Sequence, residues 1–285
     1  MDKPTLNNLE LLKRLRIFFN DNPRQVTLDM IKDVERMGVG EDYAYASLLC
    51  NFLDLDDSFI DRYLVMMLKK EKVDKYINNP FYQKMNIAPT RVGRYDIDYH
   101  YIEDYELFKH DEIYEYFDGR LLPQIGYFDE ALKCLSITTG ERVVYQYNPY
   151  LVNALTLPIE EAKGSVYCFG LGIGYFAYMA HLKEDVKKVT IFEENKDLIS
   201  LFNELILDKF DYKEKIKVVH ASPLPYLKNK NNKISANYVF INCWKDLETG
   251  VREYPKYKKA CDARSKMNVD YFLKTSIELY PKEEN

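Results

Sequence analysis

Hydrophobic positions in the first third of the chain recur at helical spacing. Apolar residues appear every three positions from Leu9 to Phe18, which predicts an amphipathic helix that ends at Asn22-Pro23. Similar apolar stripes predict three further helices, the first of them with Thr27 as its N-cap. We therefore expect residues 1–90 to form a small helical module, with these stripes packed as its core rather than lining a ligand.

The second half of the chain alternates short apolar runs with helical patterns. The apolar runs are typical of buried strands and cover residues 166–170, 188–193, 216–222 and 237–243. Four such strands separated by helices predict a parallel sheet in an open α/β domain over 150–285. After the last strand we expect a helix at about 251–266 and one more element at 272–280.

Residues 91–149 lie between these parts and are rich in acidic residues and tyrosine. The sequence Thr138-Thr139-Gly140-Glu141 separates two β-rich runs and predicts a hairpin turn. Asp96, Asp98 and His100 alternate, so a strand would place them on one face. There they either bind a divalent metal ion or belong to an exposed strand edge with the tyrosines packed inward.

Composition narrows the classes of function. The 285 residues include 40 Lys+Arg and 45 Asp+Glu, and the net charge of −5 argues against general binding to nucleic acid or to anionic membranes. No apolar run approaches the roughly 18 residues that a membrane span needs. The chain does not begin with a cationic head and an apolar core, and its five cysteines are scattered, which together predict a cytoplasmic protein.

A locally basic segment stands out against this acidic background. Residues 251–274 carry seven Lys and Arg, among them Arg252 and Arg264, against three acids. This segment either contacts RNA or a phosphorylated substrate, or it forms a solvated helix face.

A glycine-rich run is the most informative feature of the sequence. Gly170, Gly172 and Gly174 follow a predicted strand and precede a predicted helix, and such loops let the backbone approach a ligand closely. Glu193 ends the next strand, where it can accept two hydrogen bonds from a ribose diol. The pattern predicts a site for a nucleotide-like ligand; the alternative is a tight turn beside a solvated carboxylate.

The glycine spacing resembles motif I of the class I S-adenosylmethionine-dependent methyltransferases. A dinucleotide fingerprint would place its third glycine at Tyr175, whereas here it comes at Gly174. The resemblance covers residues 164–244 and is nearest to the spermidine-synthase-like branch, which has a β-rich segment before the nucleotide fold. It implies a Rossmann-like class I methyltransferase fold with a shortened C-terminal part, preceded by an α-helical N-terminal module and a β-hairpin connector.

The resemblance also implies roles for individual residues. The implied cofactor-binding residues are Gly170, Gly172 and Gly174 for the methionine part, Glu193 for the ribose, Ser222 near the adenine, and Tyr175 beside the ligand. Asn242 would orient the acceptor, and Trp244 would shape its pocket. The family often has acids at the positions of Cys168 and Ser222, so this chain departs from the pattern there.

These features together predict methyl transfer from S-adenosylmethionine to a small molecule. One alternative is an aminopropyltransferase-like enzyme, although Asn242 stands where that activity expects an aspartate. The other is a non-catalytic protein that keeps the fold for ligand sensing or protein interaction. An uncovered edge strand would favour a homodimer.

Overall fold

The computed structural model describes residues 3–20, 25–264 and 267–280. The helices are α1 (Lys3–Asn20), α2 (Leu28–Glu35), α3 (Glu41–Phe52), α4 (Val65–Met67), α5 (Asp74–Ile77), α6 (Pro80–Lys84), α7 (Pro149–Glu161), α8 (Tyr175–His181), α9 (Lys196–Leu201), α10 (Pro223–Lys228), α11 (Leu247–Asp262) and α12 (Lys274–Leu279). The strands are β1 (Leu68–Lys70), β2 (Thr90–Val92), β3 (Tyr95–Ile102), β4 (Phe108–Glu115), β5 (Leu121–Tyr127), β6 (Leu132–Thr139), β7 (Arg142–Gln146), β8 (Gly164–Phe169), β9 (Val186–Glu193), β10 (Ile216–His220), β11 (Tyr238–Ile241) and β12 (Val269–Tyr271). π-Helical turns at Ile60–Leu64 and Phe202–Ile206 adjoin α4 and α9, respectively.

The chain forms two compact units whose segments alternate along the sequence. One unit contains the described residues up to Asp74, Tyr101–Leu132 and the segment from Leu279 onward. The other contains Lys75–His100 and Lys133–Glu278. The division of the chain into the linear segments 1–90, 91–149 and 150–285 stays a prediction about its domains.

The first unit contains the predicted helical module. Thr27 caps α2 as predicted, since its Oγ1 accepts a hydrogen bond from the backbone N–H of Met30 at 3.4 Å. Buried Tyr45 lies at the centre, with its ring stacked on Tyr127 at 4.3 Å between centroids and its hydroxyl donating to the carbonyl of Tyr105 at 2.8 Å. The predicted helix end at Asn22-Pro23 lies outside the described residues.

The second unit is built on a five-stranded parallel sheet with the strand order β10-β9-β8-β11-β12. Its first strand in the chain, β8, lies in the centre, and the later strands are added outward on both sides. A crevice therefore opens at the carboxyl ends of β8 and β11, where the direction of winding changes. The order and the alternation with helices confirm the predicted Rossmann-like α/β fold.

Two expectations for the C-terminal part need correction. The helix predicted at about 251–266 is α11, which begins four residues earlier because Asp246 forms a capping box with Thr249. The element predicted at 272–280 is the short helix α12, and the sheet gains a fifth strand, β12, that was not predicted. Three residues are too few for an apolar alternation to reveal a strand.

A four-stranded antiparallel sheet with the order β2-β3-β6-β7 supplies the connector. The predicted hairpin is confirmed, since β6 and β7 pair antiparallel around Gly140, which has a φ of +60°. In β3 the side chain of Tyr95 is buried and that of Asp98 is exposed, as the exposed-edge alternative expects. The alternative is wrong in two respects, since β3 lies between β2 and β6 rather than at an edge, and the side chain of Tyr101 is exposed.

The basic segment after β11 has a partly structural role. The guanidinium of Arg264 donates to the carbonyls of Leu227 at 2.6 Å, Asn229 at 2.7 Å and Asn232 at 2.8 Å, which lie at the end of α10 and in the turn after it. The carbonyl of Leu227 lies in the last turn of α10, where helical carbonyls have no partner within the helix, and that of Asn229 also accepts the N–H of Asn232 at 3.0 Å. Arg264 is therefore not a free cation for RNA or phosphate.

Arg264→Met is expected to lower the free energy of unfolding by about 1–3 kcal/mol, because partly buried carbonyls lose a charged donor. Lys259→Met removes the same charge from an exposed position of α11 and should change it by less than about 0.5 kcal/mol. Urea denaturation of both variants measures the difference, and equal shifts would contradict this role.

Candidate functional site

The glycine loop after β8 owes its shape to three left-handed residues. Gly170, Gly172 and Gly174 have φ values of +96°, +58° and +86°, which strongly favour glycine. A Cβ on Gly170 would overlap the carbonyl oxygen of Asn242, and one on Gly174 would lie 2.8 Å from the ring of Phe202. Only Gly172 has room, since its nearest neighbour would be the Asn242 side-chain nitrogen at 3.4 Å.

Glu193 joins this loop to the end of β9. Its side chain is 7 % exposed, and its Oε2 accepts from the backbone N–H of Leu171 at 3.0 Å while Oε1 accepts from that of Asn195 at 2.9 Å. Asn195 in turn caps α9 through its own side chain. A carboxylate has about four lone-pair positions, so two of them remain for a ligand.

A cavity of about 510 Å³ opens at the carboxyl ends of β8, β9 and β11, within the second unit. Its volume falls in the range of small-molecule sites, and its place at the switch point is where open α/β sheets bind ligands. Six of the predicted site residues line it, namely Gly170, Gly172, Tyr175, Glu193, Asn242 and Trp244. The glycine loop, Glu193 and the end of β11 thus form one site.

Two predicted residues lie outside the lining of this cavity. Gly174 packs against Phe202 and serves the turn into α8. Ser222 is the N-cap residue of α10, and its neighbour Pro223 reaches the cavity instead. His220 at the end of β10 does not line the cavity, and its Nε2 lies 3.0 Å from the carbonyl oxygen of Glu194.

The two aromatic residues predicted to shape the pocket also hold the structure around it. Trp244 is 6 % exposed, and its Nε1–H donates to the carbonyl of Phe272 at 2.9 Å. The hydroxyl of Tyr175 accepts from Nδ2 of Asn79 at 2.9 Å, and its ring contacts Phe81 edge-on. Their rings line the cavity while their polar atoms bind protein groups.

Sequence reasoning missed two walls of the cavity. One comes from β7 and the start of α7 and includes Tyr145 and Tyr150. The other is a face of α11 with Arg252, Glu253 and Tyr257. Helical spacing from residue 249 onward would have indicated the α11 face, but nothing in the sequence pairs β7 with the glycine loop.

The thiol and phenol groups in the cavity are proton donors at neutral pH. Burial raises the pKa of Cys243, and it also raises the pKa of the hydroxyls of Tyr257 and Tyr145. The Cys243 Sγ donates to the carbonyl of Phe169 at 3.1 Å, and the Tyr257 hydroxyl hydrogen-bonds to this thiol. Cys243 is therefore poorly suited to act as a nucleophile.

The side chain of Cys168, in β8, has a structural role beside the glycine loop. Its thiol donates to the carbonyl of Gly170 at 3.2 Å, and complete burial raises its pKa. A neutral thiol thus supports the glycine loop at this position.

The described residues show neither a metal cluster nor a membrane helix. Within them no three His, Cys, Asp or Glu side chains come together to hold a metal ion, and this includes Asp96, Asp98 and His100. No helix in the same part of the chain combines the length and apolar character that crossing a membrane requires.

Comparison with known proteins gives a distant likeness to solved structures. No family model and no curated protein matches the chain. It is similar to the spermidine synthase of Thermotoga maritima (14 % identity, TM-score 0.36, 62 % of this chain and 52 % of that chain) and to a spermidine synthase in complex with the transition-state analogue AdoDATO (12 %, 0.36, 52 % and 57 %). It is also similar to a dimethyladenosine transferase from Plasmodium falciparum (12 %, 0.31, 44 % and 42 %).

The chain thus matches about half the length of these structures. At such TM-scores the fold assignment rests on the strand order of this chain, which is that of a doubly wound, Rossmann-like parallel sheet.

Substitution of the loop glycines separates their roles. Gly170→Ala should lower the free energy of unfolding by about 3 kcal/mol or more, because its Cβ overlaps backbone and its φ is strained. Gly172→Ala should cost about 1–2 kcal/mol, the strain alone, because its Cβ would make only an ordinary contact with the Asn242 side chain. Denaturant titration of both variants tests this, and an equal or reversed order would contradict the described loop.

Proposed function

We propose that the cavity binds S-adenosylmethionine and that the protein transfers its methyl group to a small-molecule acceptor. The supporting observation is that one cavity is lined by Gly172, whose missing Cβ leaves the backbone accessible beside Asn242, and by Glu193, which keeps two lone-pair positions for a ligand. A carboxylate at this place can accept hydrogen bonds from the diol of a nucleoside ribose. A glycine loop lets the extended methionine part of the ligand lie close to the backbone.

The residues of the cavity fit the proposed ligand. Glu193 would accept hydrogen bonds from the ribose, and the methionine part would pass over Gly172 beneath the side-chain amide of Asn242. Pro223 lies on the side of the cavity toward β10, where the adenine would be placed. The role of Ser222 beside the adenine is part of the proposal and would use its backbone, since it is not a lining residue.

The bound ligand supplies a methyl group on a positively charged sulfur. The acceptor contributes the electron pair of the new bond to carbon, while the carbon–sulfur bond breaks and its pair stays on sulfur. The protein's part is to orient the two reactants and to exclude water. Asn242 would orient the acceptor, and Tyr150, Trp244 and Phe272 would form its apolar wall.

Methyl transfer suits this site better than aminopropyl transfer. An amine acceptor must lose a proton, and the end of β11 carries the neutral amide of Asn242 and the protonated thiol of Cys243. The carboxylate of Glu193 already accepts two backbone N–H groups on the far side of β8.

Calorimetric titration of the full chain with S-adenosylhomocysteine tests the proposal, with NADH as the competing ligand class. Wild-type protein should bind the adenosyl ligand and not NADH. Glu193→Gln should weaken this binding about tenfold or more, because a charged hydrogen-bond acceptor for the ribose is lost.

Glu184→Gln is the matched control, because it removes the same charge from an exposed residue outside the cavity. It should bind as the wild type does. Folded wild-type protein that binds no adenosyl ligand would overturn the proposed function and favour a non-catalytic role.

A further inference from the structure

Two of the charged residues that line the cavity, Lys245 and Glu253, form ion pairs with neighbouring side chains, whereas no ion pair of Arg252 or Glu194 is described. Lys245 lies 3.6 Å from Asp246, and Glu253 lies 2.8 Å from Lys256. Arg252 also lines the cavity, and within residues 25–264 and 267–280 no ion pair or hydrogen bond of its guanidinium is described.

Arg252 has a fixed place in the wall formed by α11. It follows Thr249 by three positions, so the two lie on the same helix face, and both line the cavity. The start of the helix is already satisfied, since Asp246 accepts from the Thr249 N–H at 2.8 Å. The guanidinium of Arg252 is therefore the charged group that this wall offers to a ligand.

The surroundings of this wall strengthen an interaction with an anion. Tyr150, Trp244, Tyr257 and Phe272 line the same cavity. Arg252 itself is exposed, and a ligand packed against these aromatic rings would displace water from its guanidinium, which weakens solvent screening and strengthens an ion pair. Glu194 is an opposite charge in the same lining for which no ion pair is described; it follows β9, whereas Arg252 lies on α11.

We propose that Arg252 is the carboxylate anchor of this cavity and holds the carboxylate group of a bound ligand through the planar, two-pronged geometry of its guanidinium. The identity of the ligand rests on the proposed function, whereas the role of Arg252 as an anchor for a carboxylate does not. The carboxylate has two sources: the amino-acid end of the adenosyl ligand, or the acceptor.

The anchor has a consequence for specificity. If it holds the amino-acid end, the site selects S-adenosylmethionine over its decarboxylated form, which carries only an ammonium group there. If it holds the acceptor, the site selects acids over amines of the same shape. In both cases the guanidinium, and not merely a positive charge, sets the preference.

Calorimetry of the full chain with three probes tests the anchor. The probes are S-adenosylhomocysteine, its decarboxylated analogue 5′-deoxy-5′-(3-aminopropylthio)adenosine, and phenylacetate as a small aromatic acid. The proteins are the wild type, Arg252→Gln, Arg252→Lys, and Lys259→Gln as a charge-matched control on an exposed position of the same helix. Circular dichroism verifies that each variant is folded.

For the amino-acid source, Arg252→Gln should bind S-adenosylhomocysteine roughly tenfold more weakly and the decarboxylated analogue unchanged. For the acceptor source, it should bind both adenosyl probes unchanged and phenylacetate roughly tenfold more weakly. In either case Arg252→Lys should be intermediate, and Lys259→Gln should match the wild type.

Binding of all three probes by Arg252→Gln with wild-type affinity would overturn the anchor. If the wild type binds neither adenosyl probe, the proposed function fails. In that case, loss of phenylacetate binding in Arg252→Gln would still support the anchor. If the wild type binds neither the adenosyl probes nor phenylacetate, the anchor is overturned.

Discussion

The buried carboxylate of Glu193 connects the two elements on which the site depends. It accepts one backbone N–H from the glycine loop and one from the turn that begins α9. A buried carboxylate without hydrogen bonds would cost several kcal/mol, and so would the two amides without an acceptor. The loop, the end of β9 and the start of α9 therefore form one structural unit, and the remaining acceptor positions of Glu193 are presented to the cavity by the same contacts.

The four-stranded sheet β2-β3-β6-β7 extends this arrangement. Nδ2 of Asn195 donates to the hydroxyl of Tyr95 in β3 at 2.6 Å, and β7 in the same sheet lines the cavity through Tyr145. The cavity consequently has a carboxylate toward β9, protonated thiol and phenol groups beside β11, and an arginine on α11. Such a distribution suits a ligand that is polar at both ends and reacts in a place without a strong base.

The parts of the fold that local sequence patterns encode could be predicted from the sequence. The buried strands, the glycine turn and Glu193 are consecutive features, and their relation follows from the geometry of a parallel sheet. The three-residue strand β12 is too short for periodicity. Gly174 was assigned to the ligand because the motif treats its glycines alike, whereas packing against Phe202 explains this one. Arg252 was considered only as part of a basic segment, since its distance from the cavity depends on where α11 begins.

The central claim is that an adenosyl ligand lies on the Glu193-supported loop. Backbone amide NMR of ¹⁵N-labelled protein during titration with S-adenosylhomocysteine tests it most directly. The account predicts saturable shifts of the amide signals of Leu171, Gly172 and Asn195, with those of the helical module unchanged. Saturable shifts confined to other parts of the chain, or none at all, would contradict it.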